Sequence, residues 1–236
     1  MTAIQEAQER PRGARLPRSA RREQLLGAAQ EVFVAQGYHA AAMDDIADRA
    51  GVSKPVLYQH FPGKLELYLA LLDKHCDALV EATRTALSAT TDNKQRVAAT
   101  MEAYFHYVAS ESGAFRLVFE SDLTNEPAVR ERVERAADLS ATLVSKVIAE
   151  DTDLPEAEAK LLAAGVCGLA QITARYWLSQ GREIPRDEAV RLVASLAWRG
   201  LKGFPMHPGD QAQGAEADGG TPDAADGRTD SEAAPE

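Results

Sequence analysis

The sequence predicts an all-α fold: a compact module of short helices, then a long helix leading into a helical bundle. Three observations predict it. Apolar residues recur at helical spacing from Ala20 to about Phe204, with no alternating Val/Ile/Thr runs between hairpin turns. Breaks fall at Gly37, Gly51, Thr90-Thr91-Asp92-Asn93 and Asp151-Thr152-Asp153-Leu154-Pro155. The chain of 236 residues is 45% hydrophobic, enough to bury a core.

The first helix places Leu25, Ala28, Ala29, Val32 and Phe33 on one face, and Gly37 stands where a C-cap belongs. Short helices follow over Asp44 to Ala50 and Ser53 to His60, separated by a turn at Gly51-Val52. A long helix from about Lys64 to Leu87 carries Leu65, Tyr68, Leu72, His75 and Leu79 at i, i+3/i+4 spacing. Further helices are expected over about 94–110, 114–122, 126–150, 156–180 and 186–203. The last two carry stripes of Leu162, Val166, Leu169, Thr173 and Tyr176, and of Val190, Val193, Ala197 and Leu201. Residues 205–236 hold no large apolar side chain after Met206 and are expected to form a disordered acidic tail.

The charge is sorted along the chain. The formal net charge is -10. Eight acids against Arg228 make the tail -7, whereas residues 1–22 hold six Arg against Glu6 and Glu9. The first 18 residues read as a flexible Arg-rich arm, serving either to enter a DNA minor groove or only to keep the chain soluble. Residues 18–88 balance eight bases against nine acids, so binding to a polyanion requires a locally basic face.

Cys76 and Cys167 make neither a disulfide framework nor a zinc spacing, which points to a reduced, cytoplasmic protein. The polar, Arg-bearing start is no secretory signal, and no apolar run approaches the roughly 18 to 20 residues of a membrane span. His75-Cys76-Asp77 are contiguous on a helix, so their side chains splay and no metal is assigned. No Ser/His/Asp or Cys/His grouping, carboxylate pair or phosphate-cradling glycine loop appears, so neither an enzyme nor a cofactor is expected.

The densest motif lies at about 42–61. In Ile46-Ala47-Asp48-Arg49-Ala50-Gly51-Val52 a small Ala allows close helix packing and Gly supplies the positive φ of a tight turn. Leu57 turns inward with Ile46, Ala47 and Val52, leaving Lys54, Pro55, Tyr58, Gln59 and His60 facing outward. Ser53 is expected to cap that helix, with Pro55 in its first turn. These are the marks of a helix-turn-helix.

Residues 19–79, most closely from Gly37-Tyr38 through MDDIADRAGVSKPVLYQHFPGK, resemble the tetracycline-repressor (TetR) family of bacterial regulators. The likeness rests on Phe33 to Gly37, on Met43-Asp44-Asp45-Ile46-Ala47, on Ala50-Gly51-Val52-Ser53 and on Leu57-Tyr58-x-His60-Phe61-x-x-Lys64. It implies a homodimeric repressor on double-stranded, pseudo-palindromic operator DNA, released by a small ligand; the alternatives are a DNA-binding regulator that takes no ligand or is controlled by a protein partner and, remotely, a helical-bundle enzyme. Carried over, Tyr58, His60 and Lys64 would meet phosphates, while Lys54, Pro55, Val56 and Gln59, after Ser53, would lie at base edges. Where the family usually has Ser or Thr this chain has Ala41-Ala42, costing the second helix a side-chain cap worth about 1 kcal/mol.

The resemblance fades after about residue 80, so 80–204 is read as a regulatory and dimerisation domain. Tyr104, Phe105, Tyr107, Phe115, Phe119 and Trp177 are spaced either to line an apolar cavity or to fill a core. Glu120, Asp122, Gln171 and Arg175 are the polar groups placed to interrupt such a cavity. Gly165, Gly168 and Ala170 suit close packing of the last two helices across a two-fold axis, where the family forms its dimer. Half-sites would then lie roughly 34 Å apart. A ligand favouring misspaced recognition helices would weaken DNA binding by the same factor, with the long fourth helix as lever.

Overall fold

The computed structural model describes residues 16–109, 123 and 125–201. Among these residues all regular structure is helical: α1 Arg18–Ala40, α2 Met43–Ala50, α3 Lys54–His60, α4 Lys64–Ser88, α5 Asn93–Ala109, α6 Pro127–Asp151, α7 Glu156–Ser179 and α8 Arg186–Leu201. The expected Arg-rich arm up to residue 15, the helix over 114–122 and the acidic tail lie outside the described residues, and Arg18, expected in the arm, opens α1 instead.

The expected face of α1 is buried, joined by Leu26. Gly37 breaks the helix with φ 77° and ψ 167°, a conformation open to glycine, and helical geometry resumes over Tyr38–Ala40. Three aromatic rings lock this end onto α4: Tyr38 lies 5.2 Å from Tyr68, and Phe33 lies 5.3 Å from Tyr68, both edge to face. On α4 the buried stripe is Leu67, Tyr68, Leu71, Leu72, His75, Cys76 and Leu79. Leu65, expected in that stripe, is half-buried at its margin.

Between these two helices the chain makes its tight turn. Gly51 adopts the left-handed region at φ 64°, ψ 35°. Its N–H donates to the Asp48 carbonyl at 3.0 Å, and the Val52 N–H donates to the Ala47 carbonyl at 3.0 Å, the double bond of a Schellman ending. Nothing lies within 4 Å of a β-carbon built on Gly51, so the requirement there is conformational and not steric.

In the bundle, Met101, Phe105 and Val108 of α5 pack on Ala170, Ala174 and Trp177 of α7 and on Ala189, Val190, Ala194 and Ala197 of α8. The expected α7 stripe is thereby rotated, whereas that of α8 stands, with Val190 and Ala197 buried and Val193 packed against them. Alanines face the core because they let the helices approach closely, while Leu162, Val166, Leu169 and Thr173 are half-buried and Tyr176 is 67% exposed. By length and composition α7 can span a membrane, with a window of mean hydropathy 1.2. This corrects the expectation that no segment approaches that threshold, and the cause is an apolar helix with only part of its surface used by the core.

The N-terminal core is completed by α6. Val129 and Ala136 are buried in the same cluster as Leu25, Phe33 and Leu72, with Leu123 and Val133 packed against it. Arg132 pairs with Asp73 of α4 at 2.9 Å. The same helix continues to Val144, Ile148 and Asp151 at the far end of the bundle.

His75 sits at the centre of this arrangement, 8% exposed, with Nε2–H donating to Oε1 of Gln30 on α1 at 3.0 Å. Burial, helped by Lys74, holds its pKa down at about 4. A histidine depressed in the fold and ordinary when unfolded stabilises above about pH 6.5; the unfolded chain binds the extra proton as pH falls toward 4. We expect urea melts to lose up to about 3 kcal/mol from this source across that window. The loss relative to pH 7 should be smaller in His75→Leu.

Candidate nucleic-acid interface

The site is built on one buried anchor. Leu57 is fully buried under α3, and this turns Ser53, Lys54, Pro55, Tyr58 and Gln59 outward, with Val56 and His60 half-buried at the margins. Ser53 occupies the N-cap position but makes no side-chain capping bond, contrary to expectation. Its carbonyl accepts from Val56 and Leu57 N–H at 3.0 and 3.3 Å, which leaves its hydroxyl on the outer surface. At α2 the missing hydroxyl cap is partly replaced: the Ala42 N–H donates to Oδ2 of Asp45 at 3.4 Å.

A basic face lies beside α3, supplied by α1. The Arg22 guanidinium stacks 4.4 Å over the ring of Phe61. Burial lowers the pKa of His60, and the charges of Arg18, Arg22 and Arg21 lower it further. The charges of three arginines are thus felt by the imidazole at the C-terminal end of α3, in a chain whose module is near neutral. Sequence reading counted Arg21 and Arg22 only in the charge balance of residues 1–22 and so missed them as site residues.

Lys64, which the resemblance sets against a phosphate, has partners within the DNA-free fold. Its ammonium donates to the carbonyls of Tyr38 at 2.9 Å, His39 at 3.2 Å and Ala41 at 2.9 Å, and lies 4.5 Å over the Tyr38 ring. All three protons are directed inward, so this geometry favours a cation that closes the end of α1 over one reserved for phosphate.

In the bundle, an apolar chamber of about 80 Å³ lies among α4, α5, α6, α7 and α8. Leu87, Val97, Val144, Val147, Ile148, Leu162 and Trp198 wall it. Arg96 and Asp151, paired at 3.4 Å and half-buried, stand at its rim with Asn93 and Thr152. A second space of about 40 Å³ shares Thr100 and Val166 with the first and is lined by Tyr104, Cys167 and Gln171. Burial raises the pKa of the Tyr104 hydroxyl and that of Cys167, the latter to about 11, so both are neutral.

The chain matches the family described as bacterial regulatory proteins of the tetR family over residues 25–71, and the tetracyclin repressor-like C-terminal domain over residues 82–217. It belongs to the TetR family. It is 49% identical to the HTH-type transcriptional activator FasR of Mycolicibacterium smegmatis over 210 residues, covering 87% of this chain and 96% of that protein. Among solved structures, a TetR-like regulator from Rhodococcus sp. RHA1 superposes with a TM-score of 0.61 at 29% identity, over 80% of this chain and all of that one. FadR from Bacillus subtilis, solved with stearoyl-CoA, shares the fold at a TM-score of 0.64 and 17% identity, covering 74% and 96%.

Within this TetR-family bundle the expected pocket residues part company. Tyr104 and Gln171 meet at the smaller space. Trp177 packs in the core, its ring 5.5 Å from Phe105 and its Nε1–H donating to the Ile184 carbonyl at 2.6 Å, and with Phe105 it also lines an open space of about 450 Å³ beside Ile172 and Tyr176. Tyr107 turns toward the His75 carbonyl at 3.5 Å, and Arg175 is exposed because α7 presents that side outward. Phe115, Phe119, Glu120 and Asp122 lie outside the described residues. The chamber of about 80 Å³ drew no notice in the sequence, since its lining is gathered from five helices far apart in the chain, four residues each from α5 and α6 and one or two each from α4, α7 and α8.

Replacing Lys64 by Met keeps the stem and removes the ammonium. We expect urea denaturation to show a loss of about 1 to 3 kcal/mol, from carbonyls left without a donor, together with weaker DNA binding. Weaker DNA binding at unchanged stability would return Lys64 to the phosphate-contacting role.

Proposed function

We propose that this TetR-family regulator binds pseudo-palindromic DNA as a homodimer, reading base edges with α3, and that an apolar ligand in the bundle chamber controls the affinity. The outward face of α3, anchored by Leu57 and flanked by Arg18, Arg21, Arg22 and His60, carries the reading. Tyr58 and His60 are placed to meet phosphates, with the α1 arginines beside them. Lys54, Pro55, Val56 and Gln59 are placed at base edges.

The dimer is supported by an uncovered apolar face. Leu161, Ile172 and Tyr176 of α7 are 74%, 69% and 67% exposed, and Leu192 and Leu196 of α8 lie in the open beside them. A β-carbon at Gly165 or Gly168 would meet nothing within 4 Å in the single chain, which leaves room for a second copy's helix. A cytoplasmic site of action accords with this reading.

Control is supported by α6, a single helix with Val129 in the N-terminal core and Val144, Val147 and Ile148 at the chamber. A ligand that moves α6 at one end must disturb the seat of α1 and α4 at the other. We place the coupling in α6 as well as in the fourth helix. Ligand and DNA then alter each other's affinity by the same factor. For the sign of the transcriptional effect, identity of 49% with a relative named as an activator favours activation over the repression that the family likeness implied.

Two variants test the two halves. Ile172→Glu should run as a monomer in light scattering and lose specific DNA binding while keeping its helical circular dichroism; a dimer unaffected by it would move the interface elsewhere. Val147→Trp, which fills the chamber, should remain dimeric and shift DNA affinity several-fold. Unchanged affinity would make the chamber a packing gap without regulatory effect.

A further inference from the structure

The first lysine of the reading helix has a partner in the DNA-free fold. Lys54 Nζ lies 2.6 Å from Oδ2 of Asp44, with the side chains 59% and 54% exposed. Lys54 opens α3, while Asp44 stands in the first turn of α2. The pair therefore bridges the two helices of the motif on the face that also presents Tyr58 and Gln59.

Its neighbours have other roles. Asp45 accepts the Ala42 N–H, and Arg49 pairs with Glu31 of α1. Asp48 adds only a more distant field at Lys54. The carboxylate that touches α3 is that of Asp44.

An exposed pair of this kind adds little to stability in water. At a DNA surface its effect is different, because a lysine on a four-carbon stem has competing targets there. An unrestrained ammonium neutralises whichever phosphate is nearest, and this strengthens binding to every sequence alike. Held from a separate helix, it sweeps a smaller arc, and a guanine O6/N7 edge within that arc can be told from other bases. The same carboxylate disfavours phosphates close by. Both effects trade sequence-independent affinity for discrimination.

We propose that Asp44 is a specificity-determining residue of the DNA interface, which positions the Lys54 ammonium toward one base pair of each half-site and withholds it from the phosphate backbone. The inference rests on α3 being the reading helix.

The test uses the full-length protein and fluorescence anisotropy against a selected operator, every single-base variant of one half-site, and random DNA, each at several salt concentrations. Asp44→Asn should bind random DNA several-fold more tightly, with a salt dependence steeper by about 0.9 per released lysine. Discrimination at one position of the half-site should fall roughly tenfold. Asp44→Ser should behave alike, which guards against a folding defect peculiar to one variant. Lys54→Met should lose discrimination at that same position without gaining random affinity, and adding Asp44→Asn to it should change no preference. An equal gain on all sequences with preferences intact would reduce Asp44 to a repelling charge and overturn the proposal, as would no change at all. If Tyr58→Ala leaves wild-type binding untouched, the reading helix itself is misassigned, a failure visible before Asp44 is varied.

Discussion

Three carbonyls at the end of α1 are gathered by one ammonium, and the placement of the outward face of α3 follows from that bond. Gly37 interrupts α1, so Tyr38, His39 and Ala41 present oxygens that no continuing helix satisfies. Lys64, at the first position of α4, closes them. The start of α4 is thereby tied to the end of α1, and the intervening residues must form α2, the Gly51 turn and α3 within that fixed span. With Leu57 buried, the outward residues of α3 have little freedom in where they point.

A second constraint joins this module to the bundle. Val129 and Ala136 reach the N-terminal core from a helix that begins after residue 126, and the Arg132–Asp73 pair holds the crossing. Glu126, at the start of that helix, adds to burial and Glu66 in raising the pKa of Tyr38, a mark of how near α6 comes to the closed end of α1. The helix-turn-helix module is thus seated on α6 as well as joined to α4. A rigid seat is what a regulator needs if a change some distance away is to alter the spacing of two heads on one duplex.

What was legible in the sequence was local chemistry. The Gly51 turn, the break at Gly37, the buried face of α1 and the outward set on α3 follow from turn geometry and period, and each stands where the residues place it. What was illegible depended on partners distant in the chain. Nothing in the local pattern around Val129 says that it belongs with Leu25, and the surface of α7 reads as a Leu/Val stripe until alanines are seen to permit the closer approach. Lys64 reads as a surface cation until the carbonyls of residues 38 to 41 surround it. Arg175 went astray for a related reason: a helical register error of one position exchanges core for surface.

The most direct test of DNA reading by a dimer is selection of bound fragments from the source organism's genomic DNA by the purified protein against excess random DNA. The account predicts enrichment of an inverted repeat whose half-site centres lie about one helical turn, roughly 34 Å, apart. Fragments enriched without a shared sequence, or carrying a single unrepeated site, would contradict it.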